Sequence, residues 1–192
     1  MTTQLTSPAS VGCSSVLADH LGADSLVKDA LMVLAGASLV GVLAQVSVPM
    51  WPVPITGQTL GVLLVGAILG ARRGALSLLS YMLLGLAGMP WFSAASGGLA
   101  ALAKPSFGYI LGFIPAAWLI GKLSERAWDR HFWLSLAAFG GATLIPFIVG
   151  IPYMWAVLRI GGVSMSLTEA LNAGFTPFII GGIVKAAAGA AV

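Results

Sequence analysis

The chain has 192 residues, of which 58% are hydrophobic and only 8% charged. Soluble domains carry roughly 25% charged residues, so a chain this poor in charge cannot cover a water-facing surface and must place most of that surface in lipid. The formal net charge of +3 comes from thinly spread basic residues, which excludes the dense basic patch of a nucleic-acid-binding surface.

Residues 1–24 read as a polar cytoplasmic tail, and residues 25–192 as one transmembrane domain. The single cysteine, Cys13, has no internal disulfide partner, and no basic residue or long apolar run precedes it as a signal peptide requires. From Ala30 to Ala71 there is no Asp, Glu, Lys or Arg. That stretch is too long for one crossing, which takes about 20 residues, and Pro49, Pro52 and Pro54 divide it because proline removes a donor and restrains the residue before it. The first helix is therefore expected over Asp29–Val48 and the second over Thr56–Gly70. A turn at Arg72-Arg73 precedes a third helix over Gly74–Gly88, closed by Met89-Pro90. Residues 91–104 read as a Gly/Ser/Ala-rich loop, Ser106–Leu123 as a fourth helix, and Phe132–Leu158 as a fifth that Pro146 and Pro152 kink. Residues 159–173 form a further loop, and a sixth helix starts between Gly174 and Pro177 and runs to the end. The fold class is an all-α integral membrane protein of six transmembrane helices. Helices 2, 3 and 6, near 15 residues each, fall short of a ~30 Å hydrocarbon core at about 1.5 Å per residue. Such shortness beside long Gly/Pro segments points to membrane-embedded loops around a protein-lined cavity.

Lys28, Arg72, Arg73, Lys122, Arg126 and Arg130 flank one side of these spans, whereas Lys104 and Arg159 alone lie on the other, six against two. Positive charge stays inside, so both termini belong in the cytoplasm. Loops 1–2, 3–4 and 5–6 then face outward and carry nearly all the unusual polar and proline-rich sequence.

Lys185 lies within the sixth helix, about 12 Å below its outer start at the helical rise, with no acidic residue in that helix beside it. A lysine at such depth costs at least ~2.5–3.5 kcal/mol unless solvated or paired, which makes it a ligand-binding candidate; the alternative is that it snorkels to the cytoplasmic interface. Thr56 and Gln58, in Val53-Pro-Ile-Thr-Gly-Gln-Thr59, supply a hydroxyl and an amide at the outer end of helix 2. Thr56 also suits an N-cap, whereas an amide in a span needs a partner. Trp91 and Phe92 can cover an apolar ligand or belong to the interfacial aromatic belt. Tyr81 and Tyr109, the latter in Lys104-Pro-Ser-Phe-Gly-Tyr109 at the start of helix 4, can donate hydrogen bonds inward, although tyrosines near membrane interfaces are usually anchors. Ala37, Gly41 and Ala44 form a small-residue stripe on helix 1, fit for close packing within the chain or for docking a partner.

No phosphate-binding glycine loop is present, so ATP hydrolysis is not expected of this chain. No His/Cys/carboxylate cluster suits a metal, and no cofactor is expected. An intramembrane hydrolase would need a nucleophile and base, and the expected spans hold no histidine and no carboxylate past their ends. A binding and transport protein fits best; a purely structural membrane subunit is the alternative of another class.

Val53 to Thr59, Gly85 to Phe92, Pro105-Ser-Phe-Gly-Tyr109 and Pro177-Phe-Ile-Ile-Gly-Gly-Ile-Val-Lys185, in this order, resemble the BioY family, the biotin-binding S components of energy-coupling factor (ECF) transporters. The resemblance runs from about residue 29 to 192. It implies an outward-facing biotin site capped by loops 1–2 and 3–4, with Lys185, Gln58, Thr56, Tyr81, Trp91, Phe92, Ser106 and Tyr109 as the residues around it. It also implies partners: a transmembrane coupling protein, docked on the helix 1 stripe at Ala37, Gly41 and Ala44, and two cytoplasmic ATPases. Two departures stand out. Gly182 occupies the position of a family aspartate that helps bind the ligand head group, and Pro-Ser-Phe-Gly-Tyr replaces Pro-Thr-Gly-Gly-Tyr. The first leaves an S component for another vitamin as the alternative substrate reading.

Overall fold

The computed structural model describes residues 16, 25–126 and 132–179. Within them the chain is helical, with α1 at Leu26–Gln45, α2 at Gln58–Leu86, α3 at Phe107–Ser124, α4 at Phe132–Ile160 and α5 at Leu167–Gly174. Among the described residues four stretches are long and apolar enough to cross a membrane: Leu26–Gln45, Gln58–Leu86, Phe107–Ser124 and Ala137–Ile160. The consecutive pairs α1–α2, α2–α3 and α3–α4 carry most of the packing, so α3 sits between α2 and α4.

The long α2 run is not one rod. Gly70 has φ 82° and ψ 177°, left-handed backbone that L side chains disfavour. A Cβ built on Gly74 would lie 3.0 Å from the Cα of Gly66, whereas eight residues of straight helix separate atoms by about 12 Å. The chain therefore doubles back at Gly70 into two antiparallel limbs, 58–69 and 71–86. The sequence places this turn at Arg72-Arg73; the structure moves it to the residue able to adopt positive φ and leaves both arginines helical. Arg73 Nε instead meets Asp29 Oδ1 at 2.9 Å, tying the second limb to the start of α1. At the turn, Ala71 N–H donates to Glu125 Oε1 (2.9 Å), which supplies an acceptor for one of the unpaired donors at the start of that limb, and Lys122 Nζ holds the same carboxylate at 3.1 Å. Val16 is buried against Gly70.

At the opposite end of the bundle, α1 stops at Gln45 rather than at Val48. Ser47–Val48 pairs antiparallel with Ile55–Thr56, and the proline-rich segment closes this small hairpin. Between α2 and α3 lie two short 3-10 turns, Ser93–Ala95 and Leu99–Ala103. Pro146 and Pro152 both lie within α4. The segment expected as a loop over 159–173 holds nearly all of α5, opened by a capping box: Ser166 Oγ accepts from Glu169 N–H, and Ser166 N–H donates to the Glu169 carboxylate at 2.8 Å. The bond from Ser166 N–H and a second that Ser166 Oγ donates to the carboxylate at 2.9 Å hold the Glu169 carboxyl below its ordinary pKa.

Candidate functional site

A cavity opens at the end of the bundle away from Gly70. The hairpin and the start of α2 contribute Val53, Pro54, Thr56, Gln58 and Thr59; the 3-10 turn contributes Ser93; Ser106 and the first turns of α3 contribute Ser106, Tyr109, Ile110 and Phe113; α4 adds Pro146 and Phe147, and Phe178 completes the described wall. The wall is mostly apolar with a few polar groups, the composition of a site for an amphipathic small molecule.

Its polar edge is set from behind. Tyr81 Oη lies 3.2 Å from the carbonyl of Trp91, an acceptor only, so the hydroxyl donates there. Gln58 Nε2 therefore donates to Tyr81 Oη, at 2.6 Å. This leaves Gln58 Oε1 to accept from Thr56 Oγ1 at 2.7 Å. The chain of donors fixes the orientation of a buried amide in a membrane span and satisfies the requirement that such an amide be partnered. Trp91 Nε1 closes the arrangement by donating to Tyr81 O (3.0 Å).

The apolar side is aromatic. Tyr109 meets Phe147 edge-on at 5.7 Å and stacks on Phe178 at 6.1 Å, and Phe147 meets Phe178 at 5.6 Å. Contacts of this kind contribute about 0.5–1.5 kcal/mol each beyond burial. Tyr109 Oη donates to Gly174 O at 2.9 Å, linking α3 to the end of α5.

Of the residues expected from sequence, Thr56, Gln58, Ser106 and Tyr109 come together on this cavity. Tyr81, Trp91 and Phe92 form the layer behind it. Tyr81 is fully buried and packs on Trp91 at 5.5 Å and Phe92 at 5.3 Å, while the Phe92 ring occupies the space a side chain at Gly85 would fill. Lys185 and Gly182 lie outside the described residues. Ala37, Gly41 and Ala44 are buried within the chain, with Gly41 facing the Trp91 ring. Phe113, Phe147, Pro146 and Phe178 were not legible as site residues, because an apolar side chain in an apolar span carries no mark that separates cavity from lipid.

These features define a multi-pass, all-helical membrane protein with a cavity at one end of its bundle. The chain matches the BioY family over residues 10–192 and belongs to that family. It is 38% identical over 153 residues to the biotin transporter BioY of Rhizobium etli, covering 76% of this chain and 79% of that one. To the biotin transporter BioY of Thermotoga maritima it is 33% identical over 148 residues, 77% of this chain and 83% of that one. Among solved structures, the S-component for biotin from an ECF-type ABC transporter superposes with a TM-score of 0.75 over 88% of this chain and 92% of that one. At 23% identity that likeness concerns the fold.

Proposed function

We propose that this chain captures biotin at the outer face of a prokaryotic cell membrane and carries it inward, as the substrate-binding component of an ECF transporter. The observation that carries the reading is the cavity of Thr56, Gln58, Ser106 and Tyr109 against an aromatic wall in a chain of the BioY family. Biotin combines an apolar bicyclic ring and chain with a ureido group and a carboxylate, and such a wall suits both parts. Lys185 donates to the carboxylate or the ureido oxygen. Gln58 and Thr56 form the polar edge beneath the Val53–Pro54 loop.

In this reading the two limbs of α2 count as separate spans and the segment ending at residue 192 forms the last, giving six. Residues 1–24 form a cytoplasmic tail, and both termini are cytoplasmic, as the lysine and arginine distribution requires. The cavity end then faces outward. A transmembrane coupling protein and partner ATPases supply the energy; the chain itself is not an enzyme.

The test is uptake of labelled biotin by cells that lack their own biotin transport and synthesis, with this chain expressed alone and beside an ECF coupling module. Biotin-dependent growth and uptake that Lys185→Ala abolishes support the assignment. Full uptake by the Lys185→Ala variant removes that residue from the site, and uptake of another vitamin in place of biotin changes the substrate.

A further inference from the structure

The turn at 92–96 holds a backbone that alanine disfavours. Ala94 (φ 58°, ψ 41°) and Ala95 (φ 50°) both lie in the left-handed region, where Cβ crowds the following carbonyl, so surrounding contacts must hold them there. Phe92 and Ser96 exchange backbone hydrogen bonds across the turn, and Ser96 Oγ donates to Ser93 O at 2.9 Å. The remaining hold comes from α1. Gln45 Nε2 lies 3.2 Å from Trp91 O and 3.2 Å from Phe92 O, and Gln45 Oε1 accepts from Ala95 N–H at 3.0 Å. The same nitrogen lies 3.1 Å from Gly41 O, which seats the side chain against the last turn of its own helix. One side chain thus grips the main chain on both sides of Ser93, and Ser93 lines the cavity whereas Gln45 is not among its lining residues.

We propose that Gln45 is a positioning residue for the ligand cavity: it holds the Trp91–Ser96 turn so that Ser93 forms part of the wall and hydrogen-bonds the substrate. The proposal rests on the cavity being the biotin site. Its second element is a specificity role for Ser93, a hydroxyl brought to the wall by a conformation that Gln45 sustains. The strain has a use here, since relaxation of Ala94 and Ala95 to right-handed backbone would change the path of the turn that carries Ser93.

The experiment is a double-mutant cycle on the full chain in detergent or nanodiscs, using Gln45→Ala, Ser93→Ala and the double variant. Two quantities are read: biotin affinity, and hydrogen–deuterium exchange of the Ala95 amide. Gln45→Ala is expected to raise the Kd for biotin about tenfold and to speed exchange at Ala95 by a similar factor. Because Gln45 acts through Ser93, the double variant should bind within about twofold of the weaker single variant. Losses that multiply, or unchanged exchange at Ala95, overturn the proposal. If Gln45→Ala does not fold, Gln45→Glu keeps the acceptor for Ala95 and loses both donors; wild-type affinity in that variant also overturns it. If the wild-type protein binds no biotin, the site reading fails on its own, and exchange at Ala95 still decides whether Gln45 holds the turn.

Discussion

The amide of Gln58 donates to the hydroxyl of Tyr81 across 2.6 Å, although the two residues stand 23 positions apart in one helical run. That contact exists because the run reverses at Gly70, and it connects a residue on the cavity wall to one behind it. Tyr81→Phe removes the acceptor for a buried amide, so the variant should unfold with a stability loss of about 1–3 kcal/mol, read as a lowered thermal midpoint in detergent. Since Tyr81 acts on the cavity through Gln58, the pair Gln58→Leu and Tyr81→Phe should bind biotin no more weakly than Gln58→Leu alone. A further drop in the double variant would place Tyr81 on the ligand directly.

The turn between the α2 limbs makes a second prediction. Gly70→Ala forces a side chain into positive φ, at a penalty of about 1–2 kcal/mol, and sets a methyl against Val16 and the Glu125 carboxylate, 3.3 and 3.1 Å from the position its Cβ would take. Glu125→Ala removes the acceptor for Ala71 N–H and should cost about 0.5–2 kcal/mol, as other helix-start acceptors do. Thermal unfolding of both variants in the same detergent checks this; unchanged midpoints would contradict the role given to the turn.

The aromatic wall is tested from behind by Gly150→Ala. Its Cβ would fall 2.5 Å from Cγ of Tyr109, so the ring must move. Overpacking of this kind costs about 1–3 kcal/mol, and the displaced ring should weaken biotin binding by about tenfold or more. Gly140→Ala is the control, since among the described residues nothing lies within 4 Å of its added methyl; it should bind as wild type does.

At the start of α5 the prediction concerns pH. The Glu169 carboxyl is held below its ordinary pKa by the backbone and side chain of Ser166. A depressed folded pKa means that the stabilisation is complete above the unfolded value and is lost as pH falls through the folded one. Exchange of the Ser166–Ala170 amides, corrected for intrinsic rates, should therefore show falling protection below the ordinary carboxylate range, and Glu169→Gln should flatten that dependence. Equal pH profiles in both proteins would contradict the capping box.

How much of this could be read in the sequence divides along physical lines. Charge-free stretches and prolines placed α1, α3 and α4 within a few residues, because lipid enforces both signals. Sequence puts the α2 turn two to three residues late: paired arginines mark a membrane edge, whereas the backbone turns where glycine permits it. The capping box at Ser166 and Glu169 is spelled in sequence as Ser-x-x-Glu, but the polarity of its segment masks the short helix it opens. Thr56, Gln58 and Tyr109 stand out in sequence as polar groups in apolar surroundings, Ser106 through the family motif, and the four meet at the cavity. The small stripe of α1 carries two meanings in sequence, close packing within the chain and docking of a partner, because small residues serve both. Ser93 and Gln45 carried no local signal, since their relation spans 46 to 50 positions and depends on a turn that alanine alone would not suggest.

The most direct test of the central claim is equilibrium binding of radiolabelled biotin to the purified, folded protein, challenged with unlabelled biotin, thiamine and riboflavin. The account predicts saturable binding displaced by biotin alone. Folded protein that binds no biotin, or label displaced by another of these vitamins, would contradict it.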